Sequence, residues 1–211
     1  MRITKFGHAC VRIEHDGQTL VIDPGMFTDP EAVDGADAIL ITHQHYDHWD
    51  ADLLRQTDAP IHTIAAVAEQ IRSESAEVGE RITVVSPGDQ VDVGLPVMVF
   101  GELHAVIHPE YPRIDNSGYL ITAGDQTIFH PGDSLEVPEQ RIDVLCAPAS
   151  APWMKVSEAI DFVCAVKAPV NLAIHDRIYT DEAHEIVERH MHHFLKPLGQ
   201  EWIRLEDGSD L

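Results

Sequence analysis

A chain of 211 residues, 44% of them hydrophobic and 24% charged, is long enough to bury a substantial core and reads as one globular domain spanning residues 1–211. Its formal net charge of −22 repels nucleic-acid backbones and anionic lipid, which argues against both as partners and is compatible with a homo-oligomer. The three cysteines, Cys10, Cys146 and Cys164, are odd in number and form no CxxC pair, so no disulfide framework is expected; with no signal-peptide core and no apolar run long enough to span a bilayer, the expected compartment is the cytoplasm.

In chain order, strands are expected at residues 2–6, at 9–15 and from Gln18 to Ile22, the last two joined by the turn-forming pair Asp16-Gly17. Ala38-Ile39-Leu40-Ile41 is a short, wholly apolar strand that runs directly into Thr42 and His43. A short helix from Asp50 to Arg55, a strand from Ile61 to Ile64 and a helix from Ala65 to Arg72 follow. Further strands are expected at 82–85, 96–101, 118–123, 126–129 and 142–146, with Gly124-Asp125 as another turn. Val156 to Val166 is apolar at Val156, Ile160, Val163 and Cys164, the spacing of one helical face. A strand at 170–174, a helix from Asp181 (read as its N-cap) to Leu195, a stop at Pro197 and Gly199, and a strand at 201–205 complete the chain. Strands that come first in a block and then alternate with helices describe an α/β fold with helices covering sheets.

The chemistry is concentrated in Thr42-His43-Gln44-His45-Tyr46-Asp47-His48. This polar cluster follows the carboxyl end of a buried strand, where α/β sheets place ligand sites. His43 and His45 leave an extended chain on the same side and can share one metal. Asp47 and His48 fall at the turn into the next helix and can aim at a second metal. Imidazole and carboxylate without thiolate suit zinc, with manganese and iron also admissible. An HxHxDH match is expected by chance in fewer than about one in a hundred chains of this composition. Two further candidates resemble it in placement. Asp133 follows a short apolar strand and a Pro-Gly turn, and His175 follows Val170-Asn171-Leu172-Ala173-Ile174. Residue pattern alone does not separate His104 from His108 four positions on.

The HxHxDH segment resembles the signature of the metallo-β-lactamase superfamily, and that family's other motifs can be matched in order. Asp23, ending Val21-Ile22-Asp23-Pro24, resembles the aspartate that braces the metal loop. His104 in Gly101-Glu102-Leu103-His104-Ala105 resembles the third-motif histidine, Asp133 in His130-Pro131-Gly132-Asp133 the bridging aspartate, and His175 the last histidine. The resemblance implies a four-layer αββα sandwich, two mixed β-sheets flanked by helices. It also implies a centre of two divalent ions: His43, His45 and His104 on one, Asp47, His48 and His175 on the other, and Asp133 between them. An activated bridging hydroxide would then attack a small ester, lactone or phosphoester, with Asp47 both binding metal and orienting the nucleophile. An iron-dependent, persulfide dioxygenase-like oxidoreductase and a non-catalytic metal-binding protein are the alternatives.

Departures from the family narrow this placement. No Pro-Gly-His stretch surrounds His104, unlike the lactamases and glyoxalase II enzymes. There is little room for the extra domain of the nucleases, and position 45 is His where flavodiiron proteins carry Glu. Gly7-His8-Ala9, Asn116-Ser117-Gly118-Tyr119 and His130-Pro131-Gly132-Asp133 instead resemble the compact branch that contains the L-ascorbate-6-phosphate lactonase. His8 is expected to be structural or to support a ligand, and His130 to support a ligand through its ring N–H. Trp49 and Trp153 are candidate pocket walls. Arg113, Lys155 and Arg177 are the cations closest in sequence to the motif loops. His190 and His193 are read as a solvated helix face.

Overall fold

Asp16 and Gly17, both at positive φ (50° and 80°), close a two-residue hairpin that pairs His15 with Gln18, as the turn chemistry predicts. In the computed structural model, which describes residues 1–211, that hairpin joins the second and third strands of a seven-stranded sheet. Its strands are β1 (Arg2–Lys5), β2 (Val11–His15), β3 (Gln18–Ile22), β4 (Ala38–Ile41), β5 (Ile61–Thr63), β6 (Ile82–Val84) and, at the outer edge beside β1, β14 (Ser209–Asp210). The second sheet also has seven strands: β7 (Gln90–Asp92), β8 (Pro96–Phe100), β9 (Gly118–Ala123), β10 (Gln126–His130), β11 (Val144–Pro148), β12 (Val170–Ile174) and β13 (Glu201–Ile203), running β13-β12-β11-β10-β9-β8-β7. Each sheet is antiparallel along one half and parallel along the other. β1–β3 and β7–β10 pair antiparallel, whereas β3–β6 and β10–β13 pair parallel.

Three apolar clusters define four layers. One lies between the sheets and takes Ile13, Leu20, Ile22 and Leu40 from the first and Val97, Ile121, Ile128 and Leu172 from the second. Alternate residues of β4, Ile39 and Ile41, face the other way and pack with Leu54, Val67 and Ile71. These come from helices α1 (Ala51–Leu54) and α2 (Ala65–Glu74), which with α3 (Ala76–Gly79) belong to the first sheet's outer face. The outer face of the second sheet packs against α4 (Val156–Val166) and α5 (Asp181–Leu195) through residues such as Phe129, Phe162, Val163 and Met191. Burial on both faces explains why β4 reads as a continuous apolar run. The αββα sandwich with two mixed sheets is the architecture the family resemblance implies. No helix is long and apolar enough to cross a membrane.

The differences from the sequence reading have local causes. The strand expected from residue 9 begins at Val11, because Gly7 (φ 103°) and His8 (φ 49°) form a turn closed by the Cys10 N–H on the Gly7 carbonyl. α5 is capped by Thr180, whose hydroxyl accepts from Ala183 N–H at 3.4 Å, so Asp181 is the first helical residue. In α4 the buried stripe is Ala159, Ile160, Phe162, Val163 and Val166; Val156 is exposed and Cys164 half-buried. The edge strands β7 and β14 and the single-turn α3 carry too few residues for a periodic signal.

Candidate metal centre

Six loops that follow the carboxyl ends of strands converge on one point. β1 leads to His8, β3 to Asp23, β4 to the His43–His48 segment, β8 to His104, β10 to Asp133 and β12 to His175. Both sheets contribute, and they are stitched together there. The Tyr119 hydroxyl donates to the Ile41 carbonyl at 2.8 Å, and Ser117 N–H donates to the Thr42 carbonyl at 3.0 Å. The Asn116 side chain donates to the Pro131 carbonyl and accepts from Asp133 N–H, which ties the β10 loop to the His43 strand end. Gly132 fits because a Cβ at its positive-φ backbone would meet Asn116 Oδ1 at 2.4 Å and Thr42 at 2.7 Å.

Four of the candidate ligands, His43, His48, His104 and His175, are held by a contact on the side away from the centre. Asp23, fully buried, accepts from Thr42 N–H at 2.8 Å, from the Thr42 hydroxyl at 2.7 Å and from His48 Nδ1 at 2.7 Å. A carboxylate only accepts here, so His48 carries its proton on Nδ1 and presents the Nε2 lone pair inward. The Thr42 hydroxyl, its proton given to Asp23, accepts from His43 Nδ1 at 3.0 Å with the same consequence. His104 Nδ1 donates to the Ala105 carbonyl at 2.6 Å, and His175 Nδ1 donates to the Ser150 carbonyl. Four imidazoles are thus fixed as inward-facing Nε2 donors.

The inward atoms form two adjacent groups: His43, His45, His104 and Asp133, and His8, Asp47, His48 and His175. Asp133 touches both. Its Oδ1 lies 3.2 Å from His48 Nε2, and its Oδ2 lies 3.2 Å from His104 Nε2 and 3.3 Å from His175 Nε2. Ligands about 2.1 Å from one tetrahedral ion stand about 3.4 Å apart, so these separations suit shared metals. With the rings neutral, His48 Nε2, His175 Nε2 and Asp133 Oδ1 are buried without any hydrogen-bond partner, an arrangement that costs about 1–3 kcal/mol per atom unless a proton or a metal ion satisfies it. The donor set therefore fits divalent ions.

The electrostatics of the metal-free side chains follow from this packing. Burial, reinforced by the neighbouring His48, holds His43 well below the ordinary histidine value, and burial with His104 lowers His45. His48 and His175 move the other way. Burial opposes their charge, but the Asp133 and Asp23 carboxylates raise His48 well above its ordinary value, and Asp133 with Asp47 brings His175 up to about 9. Against the effect of burial, hydrogen bonds from His175 and His8 hold Asp47 far below the usual carboxylate range. The surrounding imidazoles do the same for Asp133.

The structure brings all seven residues expected as ligands, His43, His45, Asp47, His48, His104, Asp133 and His175, to this centre. It favours His104 over His108, which is exposed beside Tyr111. His8, expected only to support the site, has its ring among these groups. It is buried, 3.1 Å from Asp47 Oδ2, with its ring centroid 4.0 Å from that of His175. The signal was Gly7-His8 before a strand, which is legible only once β1 is known to end at the centre. His130 supports the site differently from expectation: its Nε2 donates to the Ala9 carbonyl at 2.8 Å and its Nδ1 accepts from Gly132 N–H, so it braces the Asp133 loop and touches no ligand. Trp49 is a fully buried core residue rather than a pocket wall, whereas Trp153 donates from Nε1 to Asp133 Oδ2 at 3.1 Å. Arg113 donates twice to the His104 carbonyl, Arg177 pairs with Asp207, and Lys155 is exposed. His190 and His193 lie exposed on α5.

Comparison with known proteins gives the chain relatives in sequence and in fold. Protein Rv0786c of Mycobacterium tuberculosis is 41% identical over 194 residues, covering 88% of this chain and 89% of its own length. The UPF0173 metal-dependent hydrolase NEQ378 of Nanoarchaeum equitans is 26% identical over 190 residues, 83% of each chain. Igni18, a metallo hydrolase from Ignicoccus hospitalis, superposes with a TM-score of 0.76 at 19% identity, covering 100% of this chain and 97% of its own, and so shares the fold. The family model for the beta-lactamase superfamily domain matches residues 2–175, a span that runs from β1 to His175, and the chain belongs to that superfamily, in its metallo-β-lactamase-fold form.

Proposed function

We propose that this protein hydrolyses a small ester, lactone or phosphoester at a centre of two divalent ions, with zinc the first candidate. The chain is an enzyme of the metal-dependent hydrolase class to which its relatives are assigned by name. The number and identity of the ions and the bond cleaved are the proposal. One observation carries it: three buried atoms, His48 Nε2, His175 Nε2 and Asp133 Oδ1, lack partners with the rings neutral and converge where two further outwardly anchored imidazoles, His43 and His104, also point.

His43, His45 and His104 would hold one ion, Asp47, His48 and His175 the other, and Asp133 lies between the groups. Such a pair activates water at neutral pH and polarises an acyl or phosphoryl oxygen. Asp47 is the carboxylate of the set that reaches solvent, with its side chain 22% exposed against 1% for Asp133. Held ionised by His8 and His175, it can accept a hydrogen bond from an incoming water and fix its line of approach. Trp153 stands between the centre and the adjoining cleft and, through Asp133, ties the wall of that cleft to the ligand shell.

The test is turnover of an ester, lactone and phosphodiester panel by metal-loaded protein, by chelated protein and by the Asp47→Ala variant. Turnover by the loaded protein that is lost on chelation and nearly lost in Asp47→Ala supports the reading. Most of the activity surviving in Asp47→Ala with metal still bound would remove Asp47 from the chemistry.

A further inference from the structure

A cleft of about 760 Å³ adjoins the metal centre, within the range that holds drug-sized molecules. It is built from residues flanking the candidate ligands. Leu103 and Ala105 lie on either side of His104, Ser134 follows Asp133, and Trp153 bonds to Asp133. Pro87, Leu103, Ala105, Val106, Leu135 and Trp153 give it apolar walls. The same loop between β8 and β9 exposes more apolar surface: Val106, in the cleft wall, is 49% exposed, and beyond it Ile107 is 45% and Tyr111 66% exposed. Exposed apolar side chains beside a site leave a surface that an apolar ligand can cover.

The charges of the cleft are one-sided. Glu102, Glu136 and Glu158 line it, against the single cation Arg113. Arg113 is engaged, its Nε and one Nη donating to the His104 carbonyl at 2.9 and 2.6 Å. Neither Lys155 nor Arg177 lines the cleft. An anionic substrate would meet three carboxylates, one of them 4.0 Å from the exposed Lys155 ammonium at the rim, and one guanidinium already turned to the backbone, on a chain of net charge −22.

We infer that the substrate is a carbonyl compound without negative charge, an ester, lactone or amide, whose apolar tail of several carbons leaves the metal centre past Trp153 and lies in this cleft. The inference rests on the dinuclear reading above and narrows it away from phosphoesters. The reacting carbonyl would sit at the centre, and the tail would displace water from Leu103, Val106 and Leu135.

Three hydroxamates, which share one metal-binding head, separate the two claims by isothermal titration of the metal-loaded full-length protein. Acetohydroxamate has almost no tail, octanohydroxamate has an apolar tail, and suberic acid monohydroxamate has a tail of equal length ending in a carboxylate. Octanohydroxamate is expected to bind about 30-fold more tightly than acetohydroxamate, as partial burial of six added methylenes implies. The carboxylate analogue is expected to lose at least about tenfold of that gain. Val106→Asp, at an exposed position that does not threaten folding, should shrink the octanohydroxamate advantage to less than about fivefold and leave acetohydroxamate unchanged. An octanohydroxamate no tighter than acetohydroxamate, or a carboxylate analogue that binds as well as octanohydroxamate, would overturn the substrate class while leaving the metal centre standing. Failure of all three to bind would overturn the metal reading itself.

Discussion

His8 Nε2 lies 3.1 Å from Asp47 Oδ2, while His8 Nδ1 faces the Arg177 backbone N–H at 3.3 Å. Because Nδ1 accepts from a backbone donor, the proton of the neutral ring is on Nε2, where it is given to the Asp47 carboxylate. Burial keeps the ring neutral by lowering its pKa to about 4. His8 therefore fixes the orientation of the one carboxylate that reaches solvent.

For His8→Ala the expected result is a 10- to 100-fold lower kcat, roughly the loss seen when a group that orients a ligand is removed, with both metals retained. His8→Asn, which keeps a donor, should recover part of the loss. Steady-state kinetics paired with metal analysis of each variant checks this. Loss of one metal in His8→Ala would make His8 a ligand in its own right.

Asp23 acts one step further out. It accepts three hydrogen bonds, two from Thr42 and one from His48, and so sets the His48 tautomer and, through the Thr42 hydroxyl, that of His43. Asp23→Ala is expected to weaken metal binding by about 10- to 100-fold. Competition with a fluorescent chelator measures this directly, and an unchanged affinity would show that the tautomers are held without Asp23.

Metal binding should release protons. In the metal-free protein the neighbouring Asp133 and Asp47 carboxylates bring His175 up to about 9, so at pH 8 that ring is mainly protonated, and the carboxylates around His48 push it in the same direction. A metal ion can take only the neutral rings, hence affinity should rise with pH up to about 9 and fall as pH drops. Calorimetry at pH 8 in two buffers of different ionisation enthalpy should report at least about one proton released per chain. A buffer-independent heat would contradict the protonated state of His175.

Much of the fold was legible because its signals are short-range. The apolar run Ala38-Ile39-Leu40-Ile41 is β4, the Asp16-Gly17 turn sets the β2–β3 register, and Gly118–Ala123 and Val170–Ile174 are strands as their composition implies. The ligands clustered in His43–His48 were readable for the same reason, whereas Asp23, His104, Asp133 and His175 needed the resemblance to order them. What stayed hidden depends on tertiary placement. His8 meets Asp47 only because β1 ends beside β4's loop, 39 positions away in sequence. Trp49 and Trp153 look alike as pocket walls, yet one is enclosed by the first sheet's helical layer and the other reaches Asp133. His130 differs from its expectation because a backbone carbonyl, Ala9, takes its ring N–H.

The central claim is that these side chains hold two divalent ions. The most direct test is the metal content of the full-length protein, purified without chelator or histidine tag and measured by elemental analysis against protein concentration. The account predicts about two ions of zinc, manganese or iron per chain, falling to about one or less in Asp133→Ala, where the residue touching both groups is lost. No bound metal after reconstitution of the unaltered protein, or two ions retained in Asp133→Ala, would contradict it.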